Sequence, residues 1–76
     1  MSDIAVELDA RGLTCPMPLL KLKQHLNRME EGQLIRVQTT DPGSVRDFAA
    51  FLKQVSSELI DQNQNANGEY CFLIRK

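Results

Sequence analysis

Val6-Glu7-Leu8-Asp9-Ala10-Arg11-Gly12-Leu13-Thr14-Cys15-Pro16-Met17-Pro18 runs from a strand into a helix, and the fold follows from that switch. Ile4, Val6 and Leu8 alternate with polar or small residues, the period of a half-buried strand, and Asp9 to Gly12 supplies a bend. Proline has a φ suited to a helix's first turn and lacks an N–H that would be unpaired there. A helix is therefore predicted from about Pro16 to Met29, with Cys15 near its N-cap. Unpaired amides and the positive end of the helix dipole favour a thiolate at such a place, and the thiolate is the reactive form of cysteine.

Outward from this stretch, Leu19, Leu22, Leu26 and Met29 fall on one helical stripe assigned to the core, and Glu30-Glu31-Gly32 ends the helix. Leu34 to Thr40 fits a second strand, with Ile35, Val37 and Thr39 on one face and Leu34, Arg36 and Gln38 on the other. One side of the sheet should meet the helices and the other water. Asp41-Pro42-Gly43-Ser44 precedes a second helix, capped either by Asp41 or by Ser44 with Asp47 three residues on. Val45, Phe48, Leu52 and Val55 recur at helical spacing, with Phe51 at the edge of the stripe. Glu58 to Gln64 reads as a third strand, Asn67-Gly68 as a tight turn and Glu69 to Arg75 as the last strand. The short polar patch from Gln62 to Asn67 is expected to form a mobile loop. The predicted order is βαβαββ.

If the first two strands are parallel with right-handed crossovers, the turns entering both helices share the carboxyl edge of the sheet. Cys15 and Asp41-Pro42 should then be neighbours. A carboxylate beside a thiol opposes thiolate formation, so Asp41 is expected to serve as a helix cap or hydrogen-bond partner and not as an activator.

With 76 residues, 42% of them hydrophobic, the chain is read as one domain over residues 1–76 with a thin core and no room for a separate cofactor domain. Its formal net charge of -1 supplies no broad attraction for nucleic acid or anionic lipid, which points first to a protein partner or a small group. Met1 to Asp9 lacks the basic start and apolar run of a signal peptide, and no stretch approaches the roughly 20 apolar residues that span a bilayer. The cytoplasm is the expected location. The two cysteines, Cys15 and Cys71, are too far apart for a Cys-x-x-Cys pair and are expected to be free thiols in a reducing compartment. No metal-ligand cluster, glycine-rich phosphate loop or hydrolytic triad appears, so no cofactor or metal is expected.

Met17 and Leu20 fall off the core stripe and sit beside Cys15. They form either a docking surface or a local cover, with Leu20 packed sideways on the second helix. Lys21, Lys23 and Arg11 add positive charge that could favour a thiolate or attract an acidic partner, or could be solvated charges. His25, the single histidine, lies turns away from Cys15 and reads as a surface residue, and Cys71 reads as a bystander on the last strand.

Leu8-Asp9-Ala10-Arg11-Gly12-Leu13-Thr14-Cys15-Pro16-Met17-Pro18, Thr40-Asp41-Pro42-Gly43-Ser44 with Arg46-Asp47-Phe48, and Gly68-Glu69-Tyr70 with Leu73-Ile74-Arg75-Lys76 resemble the TusA/SirA family of small bacterial sulfur-carrier proteins. The resemblance implies a two-layer α/β sandwich, with two helices on one face of a four-stranded mixed sheet. It also implies that Cys15 accepts sulfane sulfur from a cysteine desulfurase or rhodanese-like donor, holds it as a persulfide and passes it to a thiol-bearing acceptor protein. Destinations in the family include tRNA thiolation, molybdenum-cofactor biosynthesis and sulfur oxidation. Carried over by position, Pro16 and Pro18 shape the motif, while Met17, Leu20, Lys21, Lys23 and Asp41 map to the docking region. Thr14 stands where some tRNA-thiolation members have arginine, Met17 where they have an acidic residue, and Ser56-Ser57 where glycine commonly follows the second helix. The first two change the charge beside the cysteine and so bear on which partner docks.

Attack on a donor persulfide needs a thiolate and access, and handing the sulfur on needs a second thiol from the acceptor; neither needs a deep pocket. The expected activity is thus that of a sulfurtransferase-like carrier acting only with partner proteins, without direct contact to nucleic acid or membrane. The alternative is a non-catalytic binding or regulatory module that uses the exposed Cys-Pro-x-Pro edge. Direct RNA binding is opposed by the acidic balance and single tyrosine.

Overall fold

Ile35, Val37 and Thr39, the apolar side of the second strand, are completely buried at the centre of a four-stranded sheet. The computed structural model describes residues 4–76; Met1 to Asp3, part of the segment read above for a leader, lie outside the described residues. The elements are β1 (Ile4–Ala10), α1 (Met17–Arg28), β2 (Leu34–Thr39), α2 (Gly43–Leu52), β3 (Glu58–Gln64) and β4 (Tyr70–Arg75), in the expected βαβαββ order. Spatially the strands run β1-β2-β4-β3. β1 lies parallel to β2, whereas β4 is antiparallel to both β2 and β3, so the sheet is mixed.

Alternation decides the layering. Leu8 and Ala10 pair with Val37 and Thr39, and Phe72 and Ile74 pair with Val37 and Ile35, which puts these residues on one face. Leu22 and Leu26 of α1, Met29 beyond it and Phe48 of α2 complete the core on that face. The Phe48 and Phe72 rings meet at 4.6 Å between centroids with a 52° tilt, a favourable edge-oriented contact. The opposite face is polar, carrying the exposed ion pairs Arg36–Glu7 and Arg75–Glu58. Cys71 faces that side opposite Gln38 and Asn63, away from Phe72.

Three local expectations are corrected. Pro16 stands at the N-cap of α1 and Pro18 is the buried proline inside the first turn, so the helix begins one residue later than the sequence suggests. α2 stops at Leu52, leaving Val55 outside the stripe and 39% exposed. Beyond Leu52 the Lys53 and Gln54 amides bond back to Ala49 and Phe51, tightening the chain into the turn toward β3, where no helix stands to cover Val55. Gln62 to Gln64 belong to β3 because their backbone pairs with Tyr70 to Phe72; only Asn65 to Gly68 form the turn. There the Asn65 side-chain oxygen accepts from Asn67 and Glu69, and Gly68 takes φ +80, a value that favours glycine.

Candidate functional site

Because β1 and β2 are parallel, both chains leave the sheet at the same edge, and the β1–α1 and β2–α2 loops are stitched together there. Gly12 turns the first loop at φ +81, and its N–H donates to the Thr40 hydroxyl at 2.9 Å. The Cys15 N–H donates to Asp41 Oδ2 at 2.7 Å. The other Asp41 oxygen accepts from the Gly43 N–H at 3.1 Å, while Pro42 already has helical φ and ψ of -57 and -29. Asp41 therefore caps α2 with one oxygen and holds the cysteine backbone with the other. Of the two residues proposed to cap α2, Asp41 is the one that bonds a first-turn amide, although Pro42 occupies the N-cap position itself. Ser44 turns inward instead, buried between the Asp41 carbonyl and the Thr39 hydroxyl.

The cysteine sits on the apex of this junction. The Met17 N–H donates to the Thr14 carbonyl at 2.9 Å, closing a turn with exposed Cys15 and Pro16 at its centre. The Cys15–Pro16 peptide bond is cis. Sγ donates to Asp47 Oδ2, from the β1–α1 loop across to the second helix.

This geometry overturns the expectation that the helix start favours a thiolate. The thiol of Cys15 is pushed above its ordinary range, first by the hydrogen bond to Asp47, then by desolvation and the charges of Asp47 and Asp41; Arg46 acts weakly in the opposite sense. Some of the amides a helix start would offer are missing as well: Pro16 and Pro18 have no N–H, and the Met17 amide is occupied by the Thr14 carbonyl.

The cations named from sequence are not among the charges that act on the thiol. Arg11 is bound to both oxygens of Asp9 and reaches Glu69 at 3.5 Å, holding the Asp9 carboxyl down at about 2. Lys23 lies over the Phe51 ring, 5.3 Å from its centroid, and the Lys21 side chain is half-buried. The basic group that acts on the thiol is Arg46. His25 is half-buried in the last turns of α1.

Met17 and Leu20 are 40% and 43% exposed, so Leu20 does not bury itself against α2. They give the rim beside Cys15 an apolar surface. A cleft of about 400 Å³ between the second half of α1 and the α2–β3 turn, lined by Leu26, Phe51, Val55 and Lys76 among others, does not include the cysteine. Both cysteines are free, with Cys15 exposed and Cys71 half-buried. What the arrangement offers chemically is one exposed thiol on a loop held to its neighbour by hydrogen bonds.

Asp47 and Arg46 are the site residues that sequence reading did not assign to the thiol. Ser44 and Phe48 mark the buried side of α2, and Asp47 follows one by three positions and precedes the other by one. That spacing puts its carboxylate at the rim of the packed face, where it meets the neighbouring loop.

A family model described as sulfurtransferase TusA matches residues 6–76. The sulfur carrier protein TusA of Allochromatium vinosum is 50% identical over 76 residues, covering 100% of this chain and 99% of that protein. The protein of the same name from Pseudomonas fluorescens is 44% identical over 69 residues, covering 91% of this chain and 82% of its own length. Among solved structures, a SirA-like protein from Desulfitobacterium hafniense superposes with a TM-score of 0.82 at 21% identity, covering 92% of this chain and 95% of that one; it supports the fold.

Proposed function

The chain belongs to the TusA family of sulfur carriers, and on that premise we propose that Cys15 is the atom-bearing site, loaded as a persulfide and unloaded by a second protein's thiol. One domain over residues 1–76 does this, with a cysteine desulfurase or rhodanese-like protein as donor and a thiol-bearing protein as acceptor. The sulfur so relayed is destined for tRNA thiolation or cofactor sulfuration. The observation that carries the reading is the exposed Cys15 at the junction of two stitched loops. Its apolar neighbours Met17 and Leu20 support docking of a protein, because each exposes a large side chain beside the sulfur.

The chemistry is an exchange at sulfur. Cys15 Sγ attacks the outer sulfur of the donor persulfide, a new S–S bond forms, the donor S–S bond breaks, and the donor sulfur leaves with the electron pair as a thiolate. The Cys15 sulfur is oxidised by as much as the donor's cysteine sulfur is reduced, so no outside oxidant is consumed. The proton lost from Sγ is balanced by protonation of the leaving thiolate. Transfer onward repeats the step with Cys15 as the leaving group. Pro16 and Pro18 shape the loop, while Asp41 holds its backbone and Arg11, Lys21 and Lys23 contribute charge to the docking side.

The test supplies a cysteine desulfurase with sulfur-labelled cysteine and follows label into the chain, then adds reductant. Label that enters and is stripped by reductant supports the carrier cycle. A chain that never takes label while still binding partners favours the rival binding module.

A further inference from the structure

We propose that Asp47 is the positioning residue that keeps Cys15 in its thiol form between transfers, so that sulfur uptake waits for a partner that draws the Asp47 carboxylate away from Sγ. This rests on the reading of Cys15 as the loading site. The Asp47 carboxylate accepts from Sγ and comes from α2, while the cysteine backbone is fixed independently through Asp41 at 2.7 Å. A thiol clamped at its N–H on one side and at its S–H on the other has one defined orientation, toward α2. The charged groups acting on it are Asp47 and Arg46 of α2 and Asp41 of the β2–α2 loop. Arg11 is engaged by Asp9 and Glu69, and Lys23 by the Phe51 ring. Two carboxylates against one guanidinium leave the local balance negative, which opposes a negative sulfur.

The same contact acts on both halves of the cycle. In the free carrier the thiol donates to Asp47, and the attacking thiolate is scarce. That limits reaction with stray electrophiles and small persulfides. Once loaded, Sγ carries a sulfur where it carried a hydrogen. It can no longer donate to Asp47, and the acidic terminal sulfur is repelled by the same carboxylate. The loaded sulfur is therefore turned away from Asp47, outward to where an acceptor thiol would approach.

The test measures the pH profile of Cys15 alkylation by intact mass in the full chain, in a Cys71→Ser background, for Asp47→Asn and, as an opposite-sign variant, Arg46→Gln. Asp47→Asn should move the midpoint to lower pH and Arg46→Gln to higher pH. Each unit of downward shift multiplies the thiolate fraction about tenfold at neutral pH but lowers its intrinsic nucleophilicity, leaving a net gain of about threefold in rate. Loading from glutathione persulfide should rise in Asp47→Asn by a similar factor. A midpoint that stays put or climbs in Asp47→Asn overturns the proposal, and if that variant fails to fold, Asp47→Ser carries the same expectation and the same refutation. Lack of any sulfur loading in the unsubstituted chain, with the midpoint shift intact, overturns the carrier reading instead, so the two failures are separable.

Discussion

Asp41 joins the two loops that make the site. It accepts the Cys15 and Gly43 N–H groups with separate oxygens, and Asp41→Ala leaves both donors without that partner. Loss of a helix cap of this kind costs about 1–2 kcal/mol, measurable as a lowered denaturant midpoint with unchanged slope. The same residue scale holds the clearest acid titration. Asp9, held at about 2 chiefly by its hydrogen bonds with Arg11, has a folded value below its ordinary one of 3.8. Whatever the ion pair contributes is therefore complete above the ordinary value and is lost as pH falls through about 2. Carboxyl-carbon NMR should show Asp9 titrating at that value in the unsubstituted chain and near its ordinary value in Arg11→Gln. For Cys15 the sign is reversed. Its raised thiol favours the fold below the ordinary thiol range, and that contribution fades as alkaline pH passes the folded value. The nearness of Cys15 to Asp41 was legible from topology alone, since parallel strands put both turns at one edge. The Asp47 contact was not. It depends on how α2 is rotated against the neighbouring loop, and a Ser-x-x-Asp spacing read locally looks like a capping box while Ser44 is in fact turned into the core.

At the scale of elements, period did most of the reading. β2 showed its buried face by strict alternation, and β3 was found at its observed bounds although every residue in it is exposed. Where the reading missed, the cause was the end of an element: α2 continues in pattern to Val55 but not in structure, because the chain must turn to reach β3. Phe48 is the largest buried side chain that α2 sets on the sheet, 1% exposed and against Phe72. Phe48→Ala should cost about 3–5 kcal/mol. A chain of this length has only roughly 4–11 kcal/mol of total stability, so the variant should unfold at much lower denaturant and release α2 together with Asp47. By contrast Asn63→Ala, on the exposed edge strand opposite Cys71, should change stability by less than about 0.5 kcal/mol.

Across the whole molecule, one sheet face is devoted to packing and the opposite face to exposed ion pairs, which leaves the carboxyl edge of β1 and β2 as the place where chemistry is exposed. The two cysteines divide along the same lines: Cys15 stands at the edge and Cys71 on the polar sheet face. The proposed carrier cycle uses only the first. The decisive measurement is intact mass after incubation with a cysteine desulfurase and cysteine, on the unsubstituted chain, Cys15→Ser and Cys71→Ser. The expected result is a gain of one sulfur, removed by reductant, in the unsubstituted chain and in Cys71→Ser, and no gain in Cys15→Ser. Persistence of the gain in Cys15→Ser with its loss in Cys71→Ser would contradict the account.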